Sequence, residues 1–308
     1  MIEQRYRIDG IDKHSIFVVS WKPDKEEVKG IVQIVHGMAE HCLRYKAFAE
    51  FLSSKGYAVY AHDHRGHGLS ISDKENIGYF DDKEGFNKVV EETHMVTEFI
   101  KTKEMDKRIL IFGHSMGSFI TRKYIQIYDN DIVAAIISGT GNSKGLVGEI
   151  GKLIAKIICK VKGDKYQSKL LNDMSFGSFN KQFNPARTDM DWLSRDNDQV
   201  DKYINDDVCG FLCSAKFYTD LLTGISMVSN KSNIKKTRDD LPILFISGGK
   251  DPVGYNGKGV RKVYDKYYCS GLDAQIKLFE DARHEILNET NKEEVYDFVY
   301  NWLEKKFK

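Results

Sequence analysis

The stretch Ile111-Phe112-Gly113-His114-Ser115-Met116-Gly117-Ser118 decides how the rest of the chain is read. Gly113 to Gly117 fits G-x-S-x-G, the pattern of a nucleophilic serine on a sharp turn from strand to helix. The flanks agree with that geometry. Residues 108–112 form a short apolar run suited to a buried strand. A helical pattern follows, with Phe119, Ile120, Tyr124 and Ile127 on one face. Such a turn strains the serine backbone, so Gly113 and Gly117 have to be small. It also lifts the hydroxyl clear of the sheet and points the next helix N-terminus at it. A glycine-rich turn with an incidental serine is the alternative, and the strand before and helix after weigh against it.

Outward from this turn, strand-like runs alternate with helical patterns. Residues 16–21, 30–36, 57–62, 108–112, 132–138, 242–247 and 274–279 read as strands. Residues 44–55, 85–103, 115–128, 257–269 and 291–307 read as helices. Such alternation predicts an α/β fold, a mostly parallel sheet with helices on both faces. Residues 141–236 interrupt it with a mainly helical pattern and no clear βαβ unit. An insert between parallel strands lies over their carboxyl ends, where ligands bind. This segment is therefore expected to be a cap or lid, with 1–140 and 237–308 as the core.

Composition narrows the function classes. The balance of 46 basic and 45 acidic residues argues against a nucleic-acid binder running on a global basic field. No run approaches 18 uninterrupted apolar residues, so no transmembrane helix is expected. The first seven residues lack the apolar region of a signal peptide. Cys42, Cys159, Cys209, Cys213 and Cys269 are odd in number and have no zinc-ligand arrangement, which suggests a reducing, cytoplasmic setting. Cys209 and Cys213 share a face if helical, and core packing accounts for them better than metal or redox work.

A serine nucleophile needs a base, an orienter for that base, and an oxyanion hole. The chain order that accompanies this turn is Ser, then Asp or Glu, then His. His284 is the one histidine after Ser115, so it is the candidate base. The acid is expected after the preceding strand, where Asp251 lies in Gly248-Gly249-Lys250-Asp251-Pro252. Asp281 and Glu280 are rivals whose direction, so near His284, is poorly defined. Met116 is expected to supply one oxyanion N–H and Met38, in His36-Gly37-Met38-Ala39, the other. Gly37 lets that loop come close to the substrate. A competing cluster, His62-Asp63-His64-Arg65-Gly66-His67, resembles a zinc-hydrolase motif but has Gly66 where an aspartate is required. A polar loop is the better reading, and no metal is expected.

These stretches together resemble a known family. The elbow GHSMG, HGMAEH (36–41), AHDHRGHG (61–68), GGKDPVG (248–254) and ARHEILNE (282–289) look like monoacylglycerol lipase and the bacterial lysophospholipase-like α/β-hydrolases, often grouped with serine aminopeptidases. The resemblance covers essentially the whole chain, and its motifs occur in the right order. It implies Ser115, Asp251 and His284 as a triad, and Met38 and Met116 as oxyanion donors. It also implies a structural role for 62–67 and no cofactor. One departure is Met-Ala in HGMAEH, where the animal lipase has a smaller residue followed by glycine. The expected function is a serine hydrolase of carboxylic esters, with a monoacyl lipid as substrate. A serine aminopeptidase and a non-catalytic pocket-binding protein stay open, because such relatives differ mainly in the cap.

The interrupting segment adds one expectation about partners. Leu146, Ile150, Leu153, Ile154, Ile157, Ile158 and Val161 fall near one helical face, with Lys152, Lys156 and Lys160 on another. From Lys144 to Lys169 there are seven lysines against Glu149 and Asp164. Two readings stand. The helix packs its apolar face over an acyl pocket, or it lies on an anionic membrane surface.

Overall fold

Strand residues that alternate between two apolar layers build the centre of the molecule. The computed structural model describes residues 1–24, 27–143 and 145–307. Its eight strands are β1 (Ile2–Asp9), β2 (Ser15–Lys22), β3 (Gly30–Val35), β4 (Tyr57–His62), β5 (Ile109–His114), β6 (Ala134–Ser138), β7 (Ile243–Gly248) and β8 (Ala274–Phe279). They form one sheet in the order β1-β2-β4-β3-β5-β6-β7-β8. β2 runs antiparallel to β1 and β4, and the remaining pairings are parallel. All six residues of β3, β4, β5 and β7 are buried. That is what a strand covered on both faces requires.

Period-two alternation sends neighbouring side chains to opposite layers. Ile109 and Ile111 of β5 join one core cluster with Val89, Val96, Ile120 and Val263. Leu110 and Phe112 join the other, with Phe48, Leu52, Val299 and Leu303. The first layer carries α2 (Gly85–Lys103), α3 (Met116–Tyr124) and α9 (Lys258–Tyr268). The second carries α1 (Lys46–Ser54) and α10 (Lys292–Phe307). Truncating a side chain such as Phe112 to alanine would cost about 3–5 kcal/mol, the transfer term plus a cavity term. The strand β1 was not expected. It is an edge strand whose Glu3, Arg5 and Arg7 leave it half-wet, with Tyr6 and Ile8 alone packing on the core. Its charges are a usual guard against edge-to-edge pairing.

Between β6 and β7 the chain forms α4 (Leu146–Lys162), α5 (Lys169–Phe176), α6 (Asn197–Ile204), α7 (Ala215–Val228) and α8 (Lys231–Ile234). Of these, α7 packs against α2, α3 and α4 and buries Phe217 beside Phe80. Residues 205–213 contain no helix, so Cys209 and Cys213 do not share a helical face. Cys213 is fully buried and Cys209 half-buried. Lys144, counted in the basic run, lies outside the described residues.

The run His62–His67 is a packed loop. The Asp63 carboxylate accepts the N–H groups of Cys42 and Leu69, each at 2.7 Å. Arg65 bonds Glu92 on α2 through two nitrogens. The rings of His36 and His64 lie 4.2 Å apart, and the His64 N–H donates to His36 Nε2. Burial pushes the imidazole pKa of His62 to about 3 and of His67 to about 4, so these rings are neutral.

Candidate active site

Parallel strands end on one edge of the sheet, so the loops after β3, β5, β7 and β8 converge there. The tightest is the turn from β5 to α3. Ser115 has φ 52° and ψ −117°, a left-handed strained conformation for a residue with a side chain. A Cβ on Gly117 would lie 2.0 Å from the Val35 carbonyl oxygen, and one on Gly113 2.4 Å from the Gly117 carbonyl oxygen. Both glycines are there because backbone passes where a side chain would be. Met116 is the first residue of α3, so its N–H is among those a helix leaves without an internal partner.

The loop after β3 lies directly over this turn. A Cβ on Gly37 would approach the Ser115 Cβ to 3.2 Å. The Gly37 N–H donates to Glu40 Oε1, which curls the loop and sets Met38 beside Ser115 on the wall of the same cavity. His36 Nδ1 is 2.7 Å from the Gly37 carbonyl, a bond internal to the loop.

The loops after β7 and β8 pair with each other. Gly249 N–H donates to the Phe279 carbonyl and Lys250 N–H to the Ala282 carbonyl. That pairing carries Asp251 to His284, where Nδ1 and Asp251 Oδ2 are 3.0 Å apart. Oδ2 also accepts from Ser247 at 3.1 Å, and Oδ1 from the Val253 N–H at 2.9 Å. Asp251 is wholly buried, while Asp281 and Glu280 are exposed. Burial disfavours charge on His284, but Asp251 outweighs it and leaves the pKa above the ordinary value. Among the described residues no hydrogen bond joins Ser115 Oγ to His284. Both side chains open onto the same cavity, and such contacts are often loose before substrate binds.

That cavity has a volume of about 970 Å3. Ser115, Met116, His284 and Met38 lie on its wall, and Phe119, Leu171, Phe176, Trp192, Leu221 and Ile225 supply apolar lining. The segment 190–195 is bonded to the histidine loop. The Trp192 carbonyl accepts the His284 N–H, and the Leu193 carbonyl accepts the Glu285 N–H at 2.7 Å. Arg283 donates to the carbonyls of Asp191 and Ser194. The Trp192 ring stands 5.1 Å from that of His284.

Sequence reasoning missed an ionic cluster behind this wall. Arg44 bonds both oxygens of Glu285 at 2.7 Å and also Glu40 Oε2 at 2.7 Å. Glu40 in turn holds Gly37 and Tyr45. Burial opposes charge on Glu285, yet the bidentate Arg44 brings its pKa down to about 2. Glu40 has the single contact, and burial together with the Glu285 charge pushes its carboxyl up. The i,i+4 spacing of Glu40 and Arg44 was a local signal. Nothing local pointed to Glu285, 241 residues further on.

A family model described as serine aminopeptidase, S33, matches residues 26–291. The chain belongs to this family of hydrolases. It is 27% identical to a monoglyceride lipase homolog of monkeypox virus, with 95% of each chain covered. It is 25% identical to a monoacylglycerol lipase of Mycolicibacterium smegmatis, over 92% of this chain and 90% of that protein. Among solved structures, a thermostable carboxyl esterase from Bacillus coagulans in complex with glycerol superposes with a TM-score of 0.92. It has 25% identity, and both chains are covered fully. A monoglyceride lipase from Saccharomyces cerevisiae shares the fold at a TM-score of 0.76 and 22% identity, over 98% of this chain and 94% of that one. The α/β-hydrolase fold and the resemblance to monoacylglycerol lipases both hold.

Proposed function

We propose that this protein is a serine hydrolase of carboxylic esters and that its substrates are monoacyl lipids of the monoacylglycerol or lysophospholipid type. The observation that carries this is a strained Ser115 and an Asp251-held His284 on the wall of one largely apolar cavity. Such a cavity suits an acyl chain. In the reaction, Ser115 Oγ attacks the ester carbonyl while His284 Nε2 takes its proton. Asp251 holds Nδ1–H, which keeps the tautomer and stabilises the imidazolium. The N–H groups of Met38 and Met116 receive the developing oxyanion. His284 then protonates the leaving alcohol, and water, deprotonated by His284, releases the acid from the acyl-enzyme. None of these steps calls for a metal or cofactor.

The segment 141–236 acts as a cap in this reading, and its first helix is the contact with lipid. Leu146, Leu153, Ile157 and Val161 of α4 are 77%, 58%, 54% and 74% exposed, while Ala155 is buried and Ile154 and Ile158 pack inward. The apolar residues thus divide between the interior and an outer stripe. Lys156 and Lys160 flank that stripe, and Lys152 pairs with Glu149. A lipid surface with anionic headgroups fits an apolar stripe edged by lysines. Among the described residues no helix is long and apolar enough to cross a membrane, and the five cysteines are free. These features support a cytoplasmic enzyme that touches membrane without spanning it.

An aminopeptidase would need a carboxylate free to hold the substrate ammonium. Of those on the cavity wall, Glu40 and Glu285 are committed to Arg44, Glu149 to Lys152 and Asp173 to Lys169, which leaves the exposed Asp189 as the carboxylate an ammonium would meet. A panel of p-nitrophenyl esters, monoacylglycerols and aminoacyl amides separates the readings. Turnover of medium or long acyl esters with no amide cleavage is expected, and preferential amide cleavage would overturn the ester reading. Failure of Ser115 to react with a fluorophosphonate would instead favour a pocket that only binds.

A further inference from the structure

Outside that cavity, three side chains of metal-ligand type meet where the cap touches the loop after β3. His41 follows Glu40 in that loop, and Asp206 and Cys209 lie between α6 and α7. His41 Nε2 is 2.9 Å from Asp206 Oδ2. With the Cys209 sulfur they form a group whose ligand atoms all lie within 4.8 Å of one another. The backbone explains the convergence. Cys209 N–H donates to the Asp206 carbonyl at 2.9 Å, a turn that puts the two side chains together. The Val208 N–H holds Asp206 Oδ1 at 3.0 Å and leaves Oδ2 turned to the imidazole.

An imidazole, a carboxylate and a thiol are the donors that zinc and similar borderline-soft divalent ions take in tetrahedral sites. Bonds of about 2.0–2.3 Å place such donors roughly 3.5 Å apart, so closure needs shifts of about 1 Å. The His41 side chain is 10% exposed and that of Asp206 32%, which gives an ion an entry from the Asp206 side. Burial pushes the Cys209 thiol pKa up, Arg44 opposes that, and Glu40, Asp206 and Glu285 add to the rise, so the proton leaves only as an ion takes its place. A second group, His94, Glu98 and Asp131, is as close in its atoms, but Lys101 already bonds both of its carboxylates.

We propose that His41, Asp206 and Cys209 form a binding site for a zinc-class divalent ion, and that the bound ion ties the cap to the loop carrying Met38. His41 binds as neutral imidazole and Asp206 through Oδ2. Cys209 binds as thiolate after losing its proton to solvent, and water completes the four ligands. The junction is already closed by weaker bonds, because the Ala39 carbonyl accepts the Tyr203 hydroxyl at 3.1 Å and the Gly210 N–H at 2.9 Å. The ion adds coordinate bonds across the same seam and takes no part in ester cleavage.

The test is calorimetric titration of the full chain, freed of metal with a chelator, with Zn2+, alongside its melting temperature. One strong equivalent and a raised Tm are expected, with no competition from Mg2+, which prefers an all-oxygen octahedron. Cys209→Ala and Asp206→Asn should each weaken binding at least about tenfold, since even outer partners of a metal site cost that much. His94→Gln should leave binding unchanged. Co2+ should give a thiolate charge-transfer band that Cys209→Ala abolishes. Should Cys209→Ala fail to fold, Asp206→Asn carries the test alone. Zn2+ binding that survives both substitutions, binding lost in His94→Gln, or no heat at millimolar Zn2+ would overturn the proposal.

Discussion

Ser115, His284 and Asp251 act as one unit in the proposed mechanism, and single substitutions should reveal it. Ser115→Ala and His284→Ala should each lower kcat on order of about 10⁴-fold or more, and the double variant should lose little further. A steady-state assay on a soluble ester checks this, with unchanged thermal unfolding as the control. Asp251→Asn should lower kcat by about 10⁴-fold through the wrong imidazole tautomer. The pH profile gives a second test. His284 must be neutral to accept the serine proton, and its pKa is raised above 6.5 chiefly because Asp251 outweighs burial. Activity should therefore fall as pH drops through a value above 6.5. In the residual activity of Asp251→Asn that acid limb should move to lower pH, because the raising charge is gone and the burial remains. An unmoved limb would assign the titration to another group. The proposed nucleophile and base were legible in the sequence as candidates, because an elbow motif and a single downstream histidine leave little choice. The acid was legible only as a place after a strand. Choosing Asp251 over Asp281 needed the pairing of two loops, which no local pattern encodes.

Among the elements, α4 departs furthest from either sequence expectation taken alone. Its periodicity identified the helix, but the apolar positions turned out to serve two surfaces, Ile154 and Ile158 inward and Leu153 and Ile157 outward. Helical period cannot separate these, because a broad apolar face has two flanks and only packing partners say which is covered. Leu153→Ser with Ile157→Ser should abolish sedimentation with anionic vesicles and raise KM for a lipid substrate, leaving hydrolysis of a short soluble ester unchanged. Lys156→Gln with Lys160→Gln should produce a smaller, salt-sensitive loss, each lysine near the surface being worth about 1 kcal/mol. Equal slowing of soluble and lipid esters would make the helix a lid alone. The edge strand β1 went unread for a different reason. Four charged residues within eight mask an alternation in which Tyr6 and Ile8 alone pack inward.

At the scale of the whole molecule, the Arg44 cluster joins parts of the chain that lie far apart in sequence. Two buried carboxylates share one guanidinium, so removing it leaves charge without a partner in the interior. Arg44→Ala should destabilise the fold by about 3–5 kcal/mol in urea unfolding. Glu40→Gln should cost less than Glu285→Gln, because Glu285 holds the bidentate contact. A chelator should leave ester hydrolysis by the native enzyme unchanged, whatever metal the cap junction holds, since no proposed step passes through an ion. The carbonyls of Trp192 and Leu193 bear on a practical matter. Because they hold the backbone of His284 and Glu285, residues 190–195 cannot leave with the rest of the proposed cap without loosening the proposed base. A chimera meant to borrow another enzyme's specificity should therefore place its downstream splice before residue 190, keeping the native strap, and a graft running on to 236 should come out inactive even when it folds.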